Sequence, residues 1–180
     1  MKRSILTFTM VMAAGILFAQ KKTTTSAIIN FDATTSIDQL PKADNKTAIA
    51  SLDTKTGTLA FEVTIKNFTF SNPRIQEHFN GKGWMDSDQF PTSGFTGSIN
   101  NLKAVNFSKD GTYPVTVKGE LTIRGIAKPV ETTGSVTVSG KKITATSDFS
   151  IKLEDYNISG GPVTAGKVSK EPKISVTAEF

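Results

Sequence analysis

The chain contains no cysteine and only one histidine and one tryptophan in its 180 residues. Without cysteine there is no disulfide, no thiolate nucleophile and no thiolate-held metal. The single histidine, His78, leaves no second imidazole for a zinc site, and no catalytic triad can be assembled around it at workable spacing. A G-x-S-x-G elbow, a Walker loop and a dinucleotide glycine fingerprint are all missing. Asp86 and Asp88 lie two apart with only Glu77 nearby, whereas calcium takes six or more oxygens, so loop solvation and turn capping explain them better. Glu154 and Asp155 are adjacent, and on a strand they would point to opposite faces instead of pairing as acid and base. The expectation is a protein that is not an enzyme and needs no cofactor or metal.

Long apolar runs are also scarce, with one exception. Lys2 and Arg3 precede an apolar stretch from Ile5 to Phe18, which leads through Ala19 and Gln20 into the polar run Lys21–Ser26. Positive start, short apolar segment and polar exit are the layout of a secretory signal peptide. A membrane span takes roughly 20 apolar residues, more than this run offers. Residues 1–20 are therefore expected to be a signal peptide, cut after Ala19 or Gln20, with the remaining 21–180 forming one domain in the periplasm or outside the cell. Losing Lys2 and Arg3 takes the formal charge from +5 to +3. The basic residues do not cluster or interleave with aromatics, so nucleic acid is not an expected partner. A modest positive charge fits ordinary solubility and transient contact with anionic membrane surfaces.

What is abundant is alternation. In Thr58–Phe68, Leu59, Phe61, Val63 and Ile65 fall on one face while Ala60, Glu62, Thr64 and Lys66 fall on the other, as in a half-buried antiparallel strand. Thr47–Leu52 reads as its partner across a hairpin with Gly57. Further strands are expected at Phe95–Phe107, Tyr113–Arg124, Ile126–Ser139, Ile143–Ile151 and Ile174–Ala178, with a long mobile loop over Ser159–Pro172. One segment departs from this pattern. Asn72 and Pro73 open, and Asn80-Gly81 close, a short helix whose Ile75 and Phe79 share a face. The expected fold is all-β: an antiparallel barrel of about eight strands, which leaves no exposed edge, with one short helix.

Two stretches resemble a known family. Arg74-Ile75-Gln76-Glu77-His78-Phe79, with Met85-Asp86-Ser87-Asp88-Gln89-Phe90-Pro91 and Phe95, is similar to the helix-and-loop signature of the YceI-like family. Gly119–Val130 is similar to that family's central hairpin, a G-x-L-T-I-x-G-x-x-K-P-V pattern. The resemblance implies a lipocalin-like antiparallel barrel, exported, holding a polyisoprenoid or other long-chain lipid in its bore. Eight strands make a bore just wide enough for packed side chains or one slender ligand. The residues expected to meet that ligand are Phe61, Val63, Phe68, Ile75, Phe79, Trp84, Phe95 and Phe149, with Trp84 near the entrance. For Arg124 and Lys128, which flank Gly125, the readings are a solvated hairpin or contact with a headgroup or membrane surface. The main alternative for the whole chain is a structural or adhesive β-sandwich with a dry core that binds protein or glycan.

Overall fold

Alternating sequence becomes alternating burial. Leu59 and Val63 are buried while Glu62 and Thr64 are exposed along the strand Thr58–Thr64 (β3). The computed structural model describes residues 21–180, so the expected signal peptide lies outside the described residues. Before β3 come Lys21–Asp32 (β1) and Lys42–Asp53 (β2); after it come Thr69–Phe70 (β4), the helix Pro73–Asn80 (α1) and Thr92–Ile99 (β5). The chain continues through Gly111–Ile123 (β6), Ile126–Ser139 (β7), Lys142–Ser150 (β8), the helical turn Gly161–Thr164 (α2) and Lys173–Glu179 (β9).

Every pairing is antiparallel, in the order β1-β9-β8-β7-β6-β5-β3-β2, and β2 returns to β1. That last pairing closes eight strands into a barrel, with the two-residue β4 added outside the ring on β2. Closure gives every long strand two neighbours, so neither the open edges nor the two facing sheets of a sandwich occur. An up-and-down meander places the segments 33–41, 65–91, 124–125 and 151–172 at one end. This end is the mouth. The other end carries the short turns 54–57 and 140–141 and the longer connection 100–110, whose Leu102, Val105 and Phe107 pack on the core there.

Several local expectations change. Lys21–Ser26 is the start of β1 as well as a polar run. Its residues are all polar, with Lys22 and Thr24 half-buried and the others exposed, so no apolar alternation marks it, and it is held by its ladder to β2 from Lys21↔Asp53 to Thr24↔Ala50. On β2, Asn45 is fully buried yet satisfied: its amide donates to the Thr64 carbonyl (3.0 Å), and its oxygen accepts from the Thr47 amide and hydroxyl (2.9 Å each). That satisfaction lets the strand run five residues earlier than its apolar pattern implies.

The strand expected over 95–107 stops at Ile99. Asn101 turns the chain there: its amide donates to the Pro114 carbonyl (3.0 Å), its oxygen accepts from the Thr116 amide (2.9 Å), and a 3₁₀ turn follows at Leu102–Ala104. Glu154 and Asp155 sit in a 3₁₀ turn, Leu153–Tyr156, and not on a strand. The segment 159–172 is not structureless: it contains α2, buries Val163, and donates from the Ser169 amide to the Ala33 carbonyl (2.9 Å). The α1 helix forms as its sequence dictates. Asn72 accepts from the Arg74 amide (2.9 Å), Pro73 opens the first turn, and the Gly81 amide donates to the His78 carbonyl (3.1 Å). His78 itself is exposed.

Candidate functional site

The barrel interior is packed in two groups. Leu52, Leu59, Ile99, Val136, Val138 and Ile143 fill the closed end. Ile65, Phe68, Phe79, Met85, Leu153 and Tyr156 belong to the group that reaches the mouth, where burial also pushes the Tyr156 phenol up from its ordinary value. Phe61 touches both groups. Between them runs a cavity of about 160 Å³ whose wall is almost wholly apolar and includes no ionisable side chain.

Seven of the eight residues expected to meet a ligand line this cavity: Phe61, Val63, Phe68, Phe79, Trp84, Phe95 and Phe149. Ile75 does not. It shares the apolar face of α1 with Phe79 but is only half buried, packed on the mouth group without reaching the cavity. Phe79, one helical turn further on, lies at the centre of an aromatic cluster, with ring centroids 4.9 Å from Phe70, 5.5 Å from Phe68, 5.6 Å from Phe31 and 6.3 Å from Trp84.

The loop after α1 is fixed by its own backbone. The Met85 amide donates to the Phe79 carbonyl (3.0 Å), and the Ser87 amide and hydroxyl donate to the Asn80 carbonyl (3.1 and 3.2 Å). Asp88 pairs with Lys66 at 2.6 Å, and this hydrogen bond and charge hold its carboxyl below the usual range. The loop thereby carries Trp84 and Met85 onto the cavity wall. Trp84 is half buried, as suits a ring at an entrance.

Opposite, the wall is thinned so that one large ring can lie against it. Gly97 on β5 faces Gly119 on β6, and a Cβ built on either would fall 2.5–2.6 Å from Cζ of Phe95. The paired glycines are the slot that receives the Phe95 ring, and this is why the Gly119 motif position carries no side chain. Arg124 is no solvated arm. In the left-handed conformation (φ 52°), it donates from its guanidinium to the carbonyls of Asn157 (2.7 Å) and Lys82 (3.4 Å). It therefore ties the β6–β7 turn to two other mouth connections. Lys128 is half exposed on β7.

Other parts of the wall carried no signal as site residues. Val115, Val117 and Val136 read only as strand alternation, and Ile151, Leu153 and Ile158 come from the segment beyond β8. Ser93, also on the wall, is a lone serine between Thr92 and Gly94. Among the described residues no group of three His, Asp or Glu side chains is placed to hold a metal.

Comparison with known proteins places this barrel. Structures similar to it include BcnA of Burkholderia cenocepacia, with 19% identity, a TM-score of 0.70, and coverage of 86% of this chain and 96% of that one. A polyisoprenoid binding domain from Saccharophagus degradans, implicated in plant cell wall breakdown, has 11% identity, a TM-score of 0.74, and coverage of 89% and 97%. The YCEI protein of Campylobacter jejuni has 19% identity, a TM-score of 0.53, and coverage of 74% and 80%. No curated protein matches the sequence. The model of the YceI-like domain matches residues 7–180, nearly the whole length, and the chain belongs to the YceI-like family.

Proposed function

We propose that this protein is an exported carrier or scavenger that holds a long apolar or amphiphilic molecule, an isoprenoid or other lipid, inside its barrel. The observation that carries the reading is the apolar cavity running between the two packed groups. An apolar space of about 150 Å³ is known to stay dry and take up a benzene-sized guest, so about 160 Å³ accepts a comparable piece of a hydrocarbon chain as it stands. A longer chain gains room when the half-buried rings of Phe61, Phe149 and Trp84 rotate aside, and each buried CH₂ contributes about 0.8 kcal/mol. The polyisoprenoid binding ascribed to the Saccharophagus domain supports the same class of ligand.

Trp84 reports the binding, because it is the one tryptophan and lies on the cavity wall. Titration with a long-chain isoprenoid alcohol is expected to shift its emission to the blue and to saturate. An unchanged spectrum, together with no retained small molecule in native mass spectrometry of protein purified from its host, would reject the carrier reading. Export rests on the sequence of residues 1–26. N-terminal sequencing of the native protein is expected to begin at Gln20 or Lys21. An intact Met1 in the cytoplasmic fraction would overturn it.

A further inference from the structure

One polar atom on the cavity wall has no partner. Ser93 is the second residue of β5, paired across the ladder with Val63, and like Val63 it points into the bore. The residue is only 8% exposed, and its Oγ is buried without any hydrogen bond. The other hydroxyls on the wall are engaged: Thr132 with Ser147 at 3.2 Å, and Ser135 with Thr146 at 2.9 Å. Trp84, which carries the remaining polar side-chain atom, is half exposed.

An orphaned hydroxyl in apolar surroundings is unfavourable, so a fold that keeps one invites the question of what satisfies it. A buried water typically holds two to four polar partners, and Ser93 offers it a single side-chain group. A ligand oxygen needs only the one. The wall also limits what that oxygen can belong to. It carries no lysine, arginine or histidine, so an ionised phosphate or carboxylate drawn to this depth would be left without a counter-charge.

We propose that Ser93 is the polar anchor of the cavity: its hydroxyl bonds one uncharged oxygen, of a hydroxyl or carbonyl group, on an otherwise apolar guest. It thereby selects neutral amphiphiles over both pure hydrocarbons and phosphorylated chains. The proposal rests on the carrier reading above and adds the polarity of the guest to it.

The test uses three probes on one linear isoprenoid skeleton, the hydrocarbon, the alcohol and the monophosphate, each competing against a fluorescent apolar dye. The unaltered protein is expected to bind the alcohol about 5- to 10-fold tighter than the hydrocarbon, the worth of one neutral hydrogen bond, with the monophosphate weakest. Ser93→Ala should abolish the preference, binding the alcohol no tighter than the hydrocarbon because the alcohol's hydroxyl is then buried without a partner, while leaving hydrocarbon affinity unchanged or raised. Ser93→Thr, which keeps the hydroxyl, should retain the preference. The urea midpoint of Ser93→Ala should equal or exceed that of the parent, since no existing hydrogen bond is lost.

Equal affinity of the parent for alcohol and hydrocarbon, an undiminished preference in Ser93→Ala, or tightest binding of the monophosphate would each overturn the assignment of Ser93 while leaving a lipid carrier intact. Failure of all three probes to displace the dye would instead sink the carrier reading, and this inference with it.

Discussion

Phe79→Ala is expected to reduce the unfolding free energy by about 3–5 kcal/mol, the usual cost of deleting a buried phenylalanine. Phe79 is 5% exposed and stands within 6.3 Å, ring to ring, of four other aromatic side chains. Such ring pairs add roughly 0.5–1.5 kcal/mol each beyond area burial. The surroundings cannot collapse into the space easily, because Phe31, Phe68 and Phe70 are anchored on or beside barrel strands. The variant should also shift Trp84 emission to the red without ligand, as the indole loses its neighbour. Ile75→Ala, on the same helix face but half buried and off the cavity, is the matched control, with an expected loss of about 1–2 kcal/mol. Urea denaturation of both variants decides the point. A loss below that of Ile75→Ala would mean that Phe79 is not the packed centre of the aromatic cluster at the mouth.

The same helix shows how far sequence reasoning reaches. Its cap, its proline and its stop each act on residues no more than three positions away, so the sequence alone places Pro73–Asn80. Strands β3, β6, β7, β8 and β9 are legible for the same reason: each alternates strongly enough for period two to be seen. β1 is not legible, because its first six residues are polar and what makes them a strand is the partner 30 residues away. Closure of the barrel depends on that long-range pairing. It became an expectation through the abundance of strands and the family resemblance, and only the β1–β2 and β1–β9 ladders establish it.

For the cavity wall, residue type is informative where bulk decides and uninformative where position decides. Phe61, Val63, Phe95 and Phe149 reach the cavity because a barrel sends alternate strand residues to one interior, whereas Phe68, Phe79 and Trp84 are carried there by the 65–91 connection. Ile75 misses it because an α-helical face is broad, and being on that face does not decide which turn sits over the bore. Arg124 reads as a solvated hairpin residue from its neighbours Gly125 and Lys128, yet the carbonyls it binds lie 33 and 42 residues away along the chain. Ser93 had no signal at all. Its meaning comes from the register that sets it beside Val63 and from the missing partner of its hydroxyl.

Gly119→Ala should be among the most damaging single-methyl additions in the molecule, at about 3 kcal/mol or more. The new Cβ would lie 2.4 Å from the Thr96 carbonyl oxygen, 2.5 Å from Cζ of Phe95 and 2.7 Å from Cα of Gly97. Overpacking typically costs about 1–3 kcal/mol when side chains can yield. Here two of the three obstructing atoms are backbone of the adjacent strand, so the β5–β6 ladder itself must give way and the cost belongs at or above the top of that range. A strand glycine loses nothing in backbone preference on becoming alanine, so a measured loss reports crowding. Combining the change with Phe95→Ala removes only the ring contact. The double variant should therefore recover little of what Gly119→Ala loses, beyond the separate cost of deleting Phe95. Gly140→Ala is the control for backbone strain without crowding: it sits in a turn at φ 60° with nothing within 4 Å of the added methyl, and about 1–2 kcal/mol is expected there. Urea midpoints for the parent, Gly119→Ala, Phe95→Ala, the double variant and Gly140→Ala separate the cases. Parity between Gly119→Ala and Gly140→Ala would mean that the two strands can part without penalty. Full recovery in the double variant would assign the whole conflict to the Phe95 ring. The expected order, with Gly119→Ala lowest and hardly rescued, makes the wall behind Phe95 a fixed surface against which a guest must be accommodated by the rings opposite.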